Sequence, residues 1–115
     1  MKIQRRDSGN ITFLSVEGAF ETDSLPTFSD VTEALVADGG HRICLNFRDV
    51  SFINSTALGY LVDVGKRIKA LGGELVFSQP SKFFSDTFRT LELHHLFELF
   101  DSDRDAVAYF AERDA

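Results

Sequence analysis

Residues 43–59 read ICLNFRDVSFINSTALG: a short apolar run, a mixed polar segment and the start of a helical pattern. The run over residues 41–47 has the length and composition of a buried β-strand. A loop is predicted over residues 48–54, and the polar side chains of Asn54, Ser55 and Thr56 are typical of a helix start. Gly72-Gly73 is predicted to end that helix. Its apolar stripe consists of Leu58, Leu61, Val62, Gly65, Ile68 and Leu71.

The segments on either side extend the pattern. Two strands are predicted first, over residues 1–7 and 10–17, and the second carries apolar residues on both faces, which indicates cover on both sides. A helix follows, with Ser24 as N-cap and an end at Asp38-Gly39-Gly40. Beyond the central helix we predict a strand over 74–78, a helix from 80–81 to about 91, a strand over 96–100 and a helix from 101–103 onward.

The order β-β-α-β-α-β-α-β-α predicts an α/β fold, a mixed β-sheet with helices packed on it. The length of 115 residues suits one domain over the whole chain, residues 1–115. In such folds the loops at the carboxyl ends of the strands form the functional surface. The segment 48–54 is one of these loops.

Composition excludes several classes of function. The net charge of −6 disfavours binding to nucleic acid or to anionic membranes, because both need a surplus of Lys and Arg. The 12 Phe residues, without any Trp, are expected to fill the core. Cys44, the one cysteine, lies in an apolar run and is predicted to be a small buried hydrophobe. No signal region or membrane-spanning stretch occurs in the sequence, so we expect a cytoplasmic protein.

Residues 43–59 resemble the signature of the anti-sigma factor antagonists of the STAS domain family. That signature is an apolar strand, an acidic turn, an apolar pair, and Asp-Ser-Ser/Thr-Gly-Leu-Gly at the start of a helix. Residues 16–21, VEGAFE, are similar to an early turn of the family, and 72–75, GGEL, to its helix–strand junction. Residues 91–100 are similar to a late Leu-Phe segment, so the resemblance covers nearly the whole chain.

The resemblance implies that Ser55 is a phosphorylation site. In the family, an anti-sigma factor that is a serine kinase phosphorylates this position, and a serine phosphatase reverses the modification. The unphosphorylated antagonist binds the kinase and thereby releases the sigma factor. This chain departs from the pattern at Asn54, where Asp is usual, and at Ala57, where Gly is common. The loss of a carboxylate at position 54 bears on how a kinase recognises Ser55.

The chemistry of a helix start fits this role. Unpaired N–H groups and the positive end of the helix dipole accommodate a phosphate, so modification need not unfold the domain. Its effect then falls on the partner, which meets an added charge of about −1.5 to −2. We predict a contact surface around Ser55 made of Glu21, Thr22, Asp23, Asn54, Thr56 and Tyr60.

The sequence allows other interpretations of these and other polar residues. Asn54-Ser55-Thr56 could serve only as a helix cap. Asp49 invites comparison with a receiver-domain phosphoacceptor, but the first strand lacks the acidic pair that holds magnesium, so Asp49 is predicted to be a turn residue. The adjacent His94 and His95 are expected to diverge and form no metal site.

Neither a nucleophile elbow nor a phosphate-binding loop occurs, so we expect no enzyme activity and no cofactor. A different class of function stays open: a non-phosphorylated STAS subunit of a lipid-transport ATPase or of a stress-sensing complex. A weak homodimer is also left open.

Overall fold

The computed structural model describes residues 1–39 and 41–114. The elements follow the predicted order, and short 3-10 turns cover Thr22–Ser24 and Leu93–His95. The strands are β1 (Lys2–Ser8), β2 (Ile11–Phe20), β3 (Arg42–Ile53), β4 (Glu74–Ser78) and β5 (Leu99–Phe100). The helices are α1 (Leu25–Ala37), α2 (Ser55–Ala70), α3 (Lys82–Thr90) and α4 (Asp103–Asp114).

The predicted mixed sheet is confirmed. Its five strands lie in the order β1-β2-β3-β4-β5, with β1 antiparallel to β2 and the other pairs parallel. Because each crossover moves the chain in the same direction across the sheet, α1, α2 and α3 pack on one face. Helix α4 follows the last strand and covers part of the other face.

The core has two parts, one on each face of the sheet. Strand β2 contributes Leu14 and Val16 to the larger part and Ile11 and Phe13 to the smaller one, which confirms that this strand is covered on both sides. Most of the Phe residues are core residues, as predicted; those with less than 2% exposure are Phe20, Phe28, Phe47, Phe77, Phe88 and Phe110. Cys44 is buried as well, and burial raises the pKa of its thiol to about 12.

The prediction of a loop over residues 48–54 was wrong. Strand β3 continues to Ile53 and pairs with β2 as far as Phe20. The register shifts between Ser15 and Glu17 of β2, and again between Gly18 and Ala19, so β3 contains two β-bulges. Bulges interrupt the alternation of polar and apolar residues that is typical of a strand, so the sequence pattern of residues 48–54 predicts a loop. Asp49, predicted to be a turn residue, lies in β3 opposite Glu17.

The buried face of α2 differs in part from the predicted stripe. Leu61, Gly65 and Ile68 are buried as expected, together with Ala57 and Val64, which the prediction omitted. Leu58 and Val62 are partly buried against the core. Leu71 is 48% exposed, because it is the C-cap residue and lies beyond the last turn that packs on the sheet.

Other boundaries shift by a few residues. Helix α1 ends at Ala37, with Asp38 as C-cap and Gly39 at φ +100°, while Gly40 lies outside the described residues. Strand β5 has two residues, Leu99–Phe100, rather than the predicted five, and a 3-10 turn at Leu93–His95 precedes it. The rings of His94 and His95 lie 4.1 Å apart, so the expectation that they diverge was wrong.

Candidate functional site

The site is built where β3 passes directly into α2. Asn54 adopts an extended conformation, φ −100° and ψ 171°, and its side-chain Oδ1 accepts a hydrogen bond from the Ala57 N–H at 2.9 Å. Its backbone N–H donates to the Phe20 carbonyl at 3.1 Å, which ties the helix start to the end of β2. Asn54, and not Ser55, is therefore the residue that caps α2.

Ser55 is the first residue of α2, and its side chain is exposed. Its hydroxyl makes no hydrogen bond with any residue in the described ranges 1–39 and 41–114. Thr56, the next residue, is exposed too. Because the amides of a first helical turn lack intrahelical partners, negative charge on Ser55 would lie beside N–H donors. The serine is thus accessible, and no fold contact depends on its hydroxyl.

The segment Glu21-Thr22-Asp23, which we call the acidic turn from here on, lies next to this helix start. The Asn54 amide Nδ2 donates to Thr22 Oγ1 at 3.3 Å, which connects the two segments directly. The segment is held in a 3-10 turn by Ser24, whose Oγ accepts from the Glu21 N–H at 2.9 Å and donates to the Ala19 carbonyl at 2.8 Å. Ser24 thus stabilises this turn. It is also the N-cap residue of α1, as predicted, but its side chain makes no capping hydrogen bond to that helix.

Tyr60 is placed differently from the other predicted contact residues. Its hydroxyl donates to Glu33 Oε2 at 2.7 Å and lies 2.8 Å from Thr32 Oγ1, so it bridges α2 to α1. Burial and the hydrogen bond to Glu33 raise the pKa of Tyr60 to about 12. The ring packs edge-on against Phe28, with centroids 5.9 Å apart. The structure therefore does not direct the Tyr60 hydroxyl toward Ser55.

Sequence reasoning missed an apolar feature beside the site. Phe52 is 51% exposed and Phe83 is 69% exposed, and both line a small open hollow between the end of β3 and the start of α3. Phe52 lies within the motif of residues 43–59, so the sequence pattern at least pointed to its neighbourhood. Phe83 is 31 positions further along the chain, and only the folded sheet brings α3 next to β3.

The described ranges hold neither a metal cluster nor a transmembrane segment. Within residues 1–39 and 41–114, no group of three or more His, Cys, Asp or Glu side chains is placed to hold a metal ion. Among the same residues, every helix is too short or too polar to cross a bilayer. What the site offers is an exposed hydroxyl at a helix start, flanked by an acidic turn and an apolar hollow.

Comparison with known proteins agrees with the fold described above. The model of the STAS domain family matches residues 2–106. The Thermotoga maritima protein TM1081 has a similar structure, with 19% identity and a TM-score of 0.86 over 93% of this chain and 92% of that one. An anti-sigma factor antagonist from Mycobacterium paratuberculosis is 21% identical, with a TM-score of 0.78 over 94% and 92% of the two chains.

A third similar structure is that of the Bacillus cell fate determinant SpoIIAA in its phosphorylated form. It is 15% identical, with a TM-score of 0.74 over 95% of this chain and 99% of that one. At these identities the similarity establishes the fold, an α/β sheet with four helices. Together with the family model, which spans most of the sequence, it shows that this chain belongs to the STAS domain family.

Proposed function

We propose that this chain is an anti-sigma factor antagonist that changes partners through phosphorylation of Ser55. In its unphosphorylated form it binds an anti-sigma factor that is a serine kinase, and a serine phosphatase restores that form. The observation that carries the proposal is the exposed Ser55 hydroxyl at the start of α2, next to a cap that another residue supplies. The similar structures of anti-sigma factor antagonists support it.

The substitution of Asn for the family's usual Asp at position 54 is compatible with this role. The Asn54 Oδ1 caps α2 as a carboxylate oxygen would, so the helix start keeps its geometry without the charge. In addition, the amide Nδ2 donates to Thr22, which a carboxylate cannot do. Asn54 therefore holds the acidic turn and the helix start in one surface.

The proposed contact surface surrounds the hydroxyl. Exposed groups from the turn and from the first residues of α2 supply it, and Tyr60 contributes only the accessible part of its ring. The complete set is Glu21, Thr22, Asp23, Asn54, Thr56 and Tyr60. A phosphate in the middle of this surface adds about −1.5 to −2 charge that docking would have to desolvate. An interface penalty of about 4 kcal/mol weakens binding by about a thousandfold, so no large conformational change is required.

The domain acts by binding, in this proposal, and the chemistry of phosphate transfer belongs to the partner enzymes. The test is to incubate the purified chain with ATP and the anti-sigma factor kinases of the source organism, and to map the product by mass spectrometry. We expect one phosphate, on Ser55.

The Ser55→Ala variant is the matched control, since it keeps Thr56 and the Asn54 cap. It should acquire no label. Label on Thr56, or no label on the wild-type chain with any of these kinases, would contradict the proposal.

A further inference from the structure

The surface next to Ser55 carries two aromatic side chains that the fold leaves uncovered. Among the described residues, Phe52 and Phe83 are the aromatic ones in the set of large exposed hydrophobics. The others are single aliphatic residues: Leu71, Leu91, Leu96 and Val107. Phe52 and Phe83 line the same hollow, which we call the aromatic hollow. Two exposed rings around one concavity are characteristic of an interaction site rather than of scattered surface residues.

The floor of the aromatic hollow is rigid. It includes Phe47 and Phe84, which are 1% and 4% exposed and pack edge-to-face with ring centroids 4.9 Å apart. The N–H of Phe84 donates to Ser81 Oγ at 3.1 Å, which fixes the first turn of α3 and with it the neighbouring Phe83. A preformed pocket loses little entropy when it is filled.

The β-bulges of β3 determine the position of Phe52. Phe52 pairs with Ala19 after the second register shift, two residues further along β3 than the unbroken pairing that begins at Ile11 and Arg42 would place the partner of Ala19. Each added residue reverses which face of a strand the following side chains occupy, so two of them together return Phe52 to the face that it would have in an unbroken strand. The two bulges thus lengthen β3 by two residues relative to β2, and Phe52 lies half-exposed near the end of the sheet.

The aromatic hollow is continuous with the phosphorylation site. Ile53 lines the hollow, Asn54 follows as the cap, and Ser55 is the next residue. On the other side of Asn54 lies the acidic turn, with Asp23 exposed and Glu21 partly exposed. Neither carboxylate forms an ion pair with any residue in the two described ranges.

We propose that the aromatic hollow receives an apolar side chain of the same partner that reads Ser55. This partner presents the apolar side chain beside basic residues, which face Glu21 and Asp23 across the helix start. The inference rests on the proposed function and specifies how the kinase docks. Aromatic anchors in a preformed pocket are typical centres of binding energy, and charges at the rim orient the partner.

The arrangement also explains how phosphorylation acts. A partner seated in the aromatic hollow covers the neighbouring helix start with partly apolar surface. A phosphate on Ser55 would then lose its hydration against that surface, and it would stand between the acidic turn and the basic groups that face it. Charge added at one residue therefore opposes contacts on both sides of it.

The test uses purified anti-sigma factor kinases of the source organism, and the one that binds the wild-type chain most tightly in calorimetry is the probe. Phe52→Ala and Phe83→Ala should each weaken binding by about tenfold, the effect of removing one aromatic anchor. Leu71→Ala is the matched control, since Leu71 is similarly exposed at 48% but lies at the far end of α2. Its affinity should equal that of the wild type.

The possible results distinguish a failure of this inference from a failure of the proposed function. If the wild-type chain binds and both Phe variants bind equally well, the hollow is not the docking site and the inference fails while the proposed function stands. If the wild-type chain binds none of the kinases, the proposed function fails and takes the inference with it. Loss of a homodimer in the Phe variants, with kinase affinity unchanged, assigns the hollow to self-association and overturns the inference.

Melting curves show whether the variants are folded. Should Phe52→Ala unfold, Phe83→Ala still decides the question, because its side chain is 69% exposed.

Discussion

Replacing Asn54 and Ser55 in turn separates a structural role from a regulatory one. In Asn54→Ala the Ala57 N–H loses its acceptor, and loss of an N-cap costs about 1 kcal/mol of folding free energy. The broken contact with Thr22, at 3.3 Å between exposed groups, adds a few tenths of a kcal/mol at most. For a chain of this length, about 1 kcal/mol corresponds to a fall in Tm of about 4 °C. Ser55→Ala removes no hydrogen bond, so its stability should stay within about 0.5 kcal/mol of the wild type.

The assay is urea unfolding followed by far-UV circular dichroism, with the m-value checked for constancy. Ser81→Ala calibrates the result, because Ser81 caps α3 with the same kind of bond, to the Phe84 N–H at 3.1 Å. It should cost about as much as Asn54→Ala. If Ser55→Ala were as destabilising as Asn54→Ala, the Ser55 hydroxyl would be a structural cap. Phosphorylation would then disturb the fold itself, and the reasoning would be refuted.

Three further predictions concern packing, pH and charge. Gly65→Ala should destabilise the fold by about 1 kcal/mol in urea unfolding, because the new methyl would overlap the Phe97 ring, and Phe97→Leu in the same chain should recover part of the loss. Arg67 donates two hydrogen bonds of 2.5 and 2.8 Å to Glu33, which lower the pKa of Glu33 to about 2. This ion pair stabilises the protein above the unfolded carboxyl's pKa, and the stabilisation is lost as pH falls toward about 2. Since the two side chains are 39% and 45% exposed, Glu33→Gln should cost about 0.5 kcal/mol at neutral pH in urea unfolding, and a difference that persists at the acid end would contradict this. Ser55→Asp should weaken kinase binding in calorimetry while Ser55→Ala retains it; equal affinities would rule out the charge mechanism.

Much of the fold was predictable because its signals are local. The apolar run that became β3 and the stripe of α2 follow from residue spacing, and the pair Gly72-Gly73 marks the junction with β4. The strand beyond Phe47 was not predictable. Two bulges there break the alternation on which strand prediction depends, and their positions are set by pairing with β2.

The site, like the fold, was predictable where its signals are local. The position of Ser55 at a helix start follows from the sequence, and so does the place of Asn54 beside it. That Asn54 alone makes the cap, and that it also contacts Thr22, depends on side-chain geometry that spacing does not determine. The hollow between Phe52 and Phe83 arises from two distant segments, so only the tertiary structure reveals it.

The most direct test of the account compares one kinase binding to two forms of the same chain, unphosphorylated and stoichiometrically phosphorylated on Ser55. Calorimetry should show an affinity lower by about a thousandfold for the phosphorylated form, equivalent to about 4 kcal/mol, while circular dichroism and Tm remain those of the unphosphorylated chain. Equal affinities for the two forms, or a loss of affinity that accompanies unfolding of the phosphorylated chain, would contradict the account.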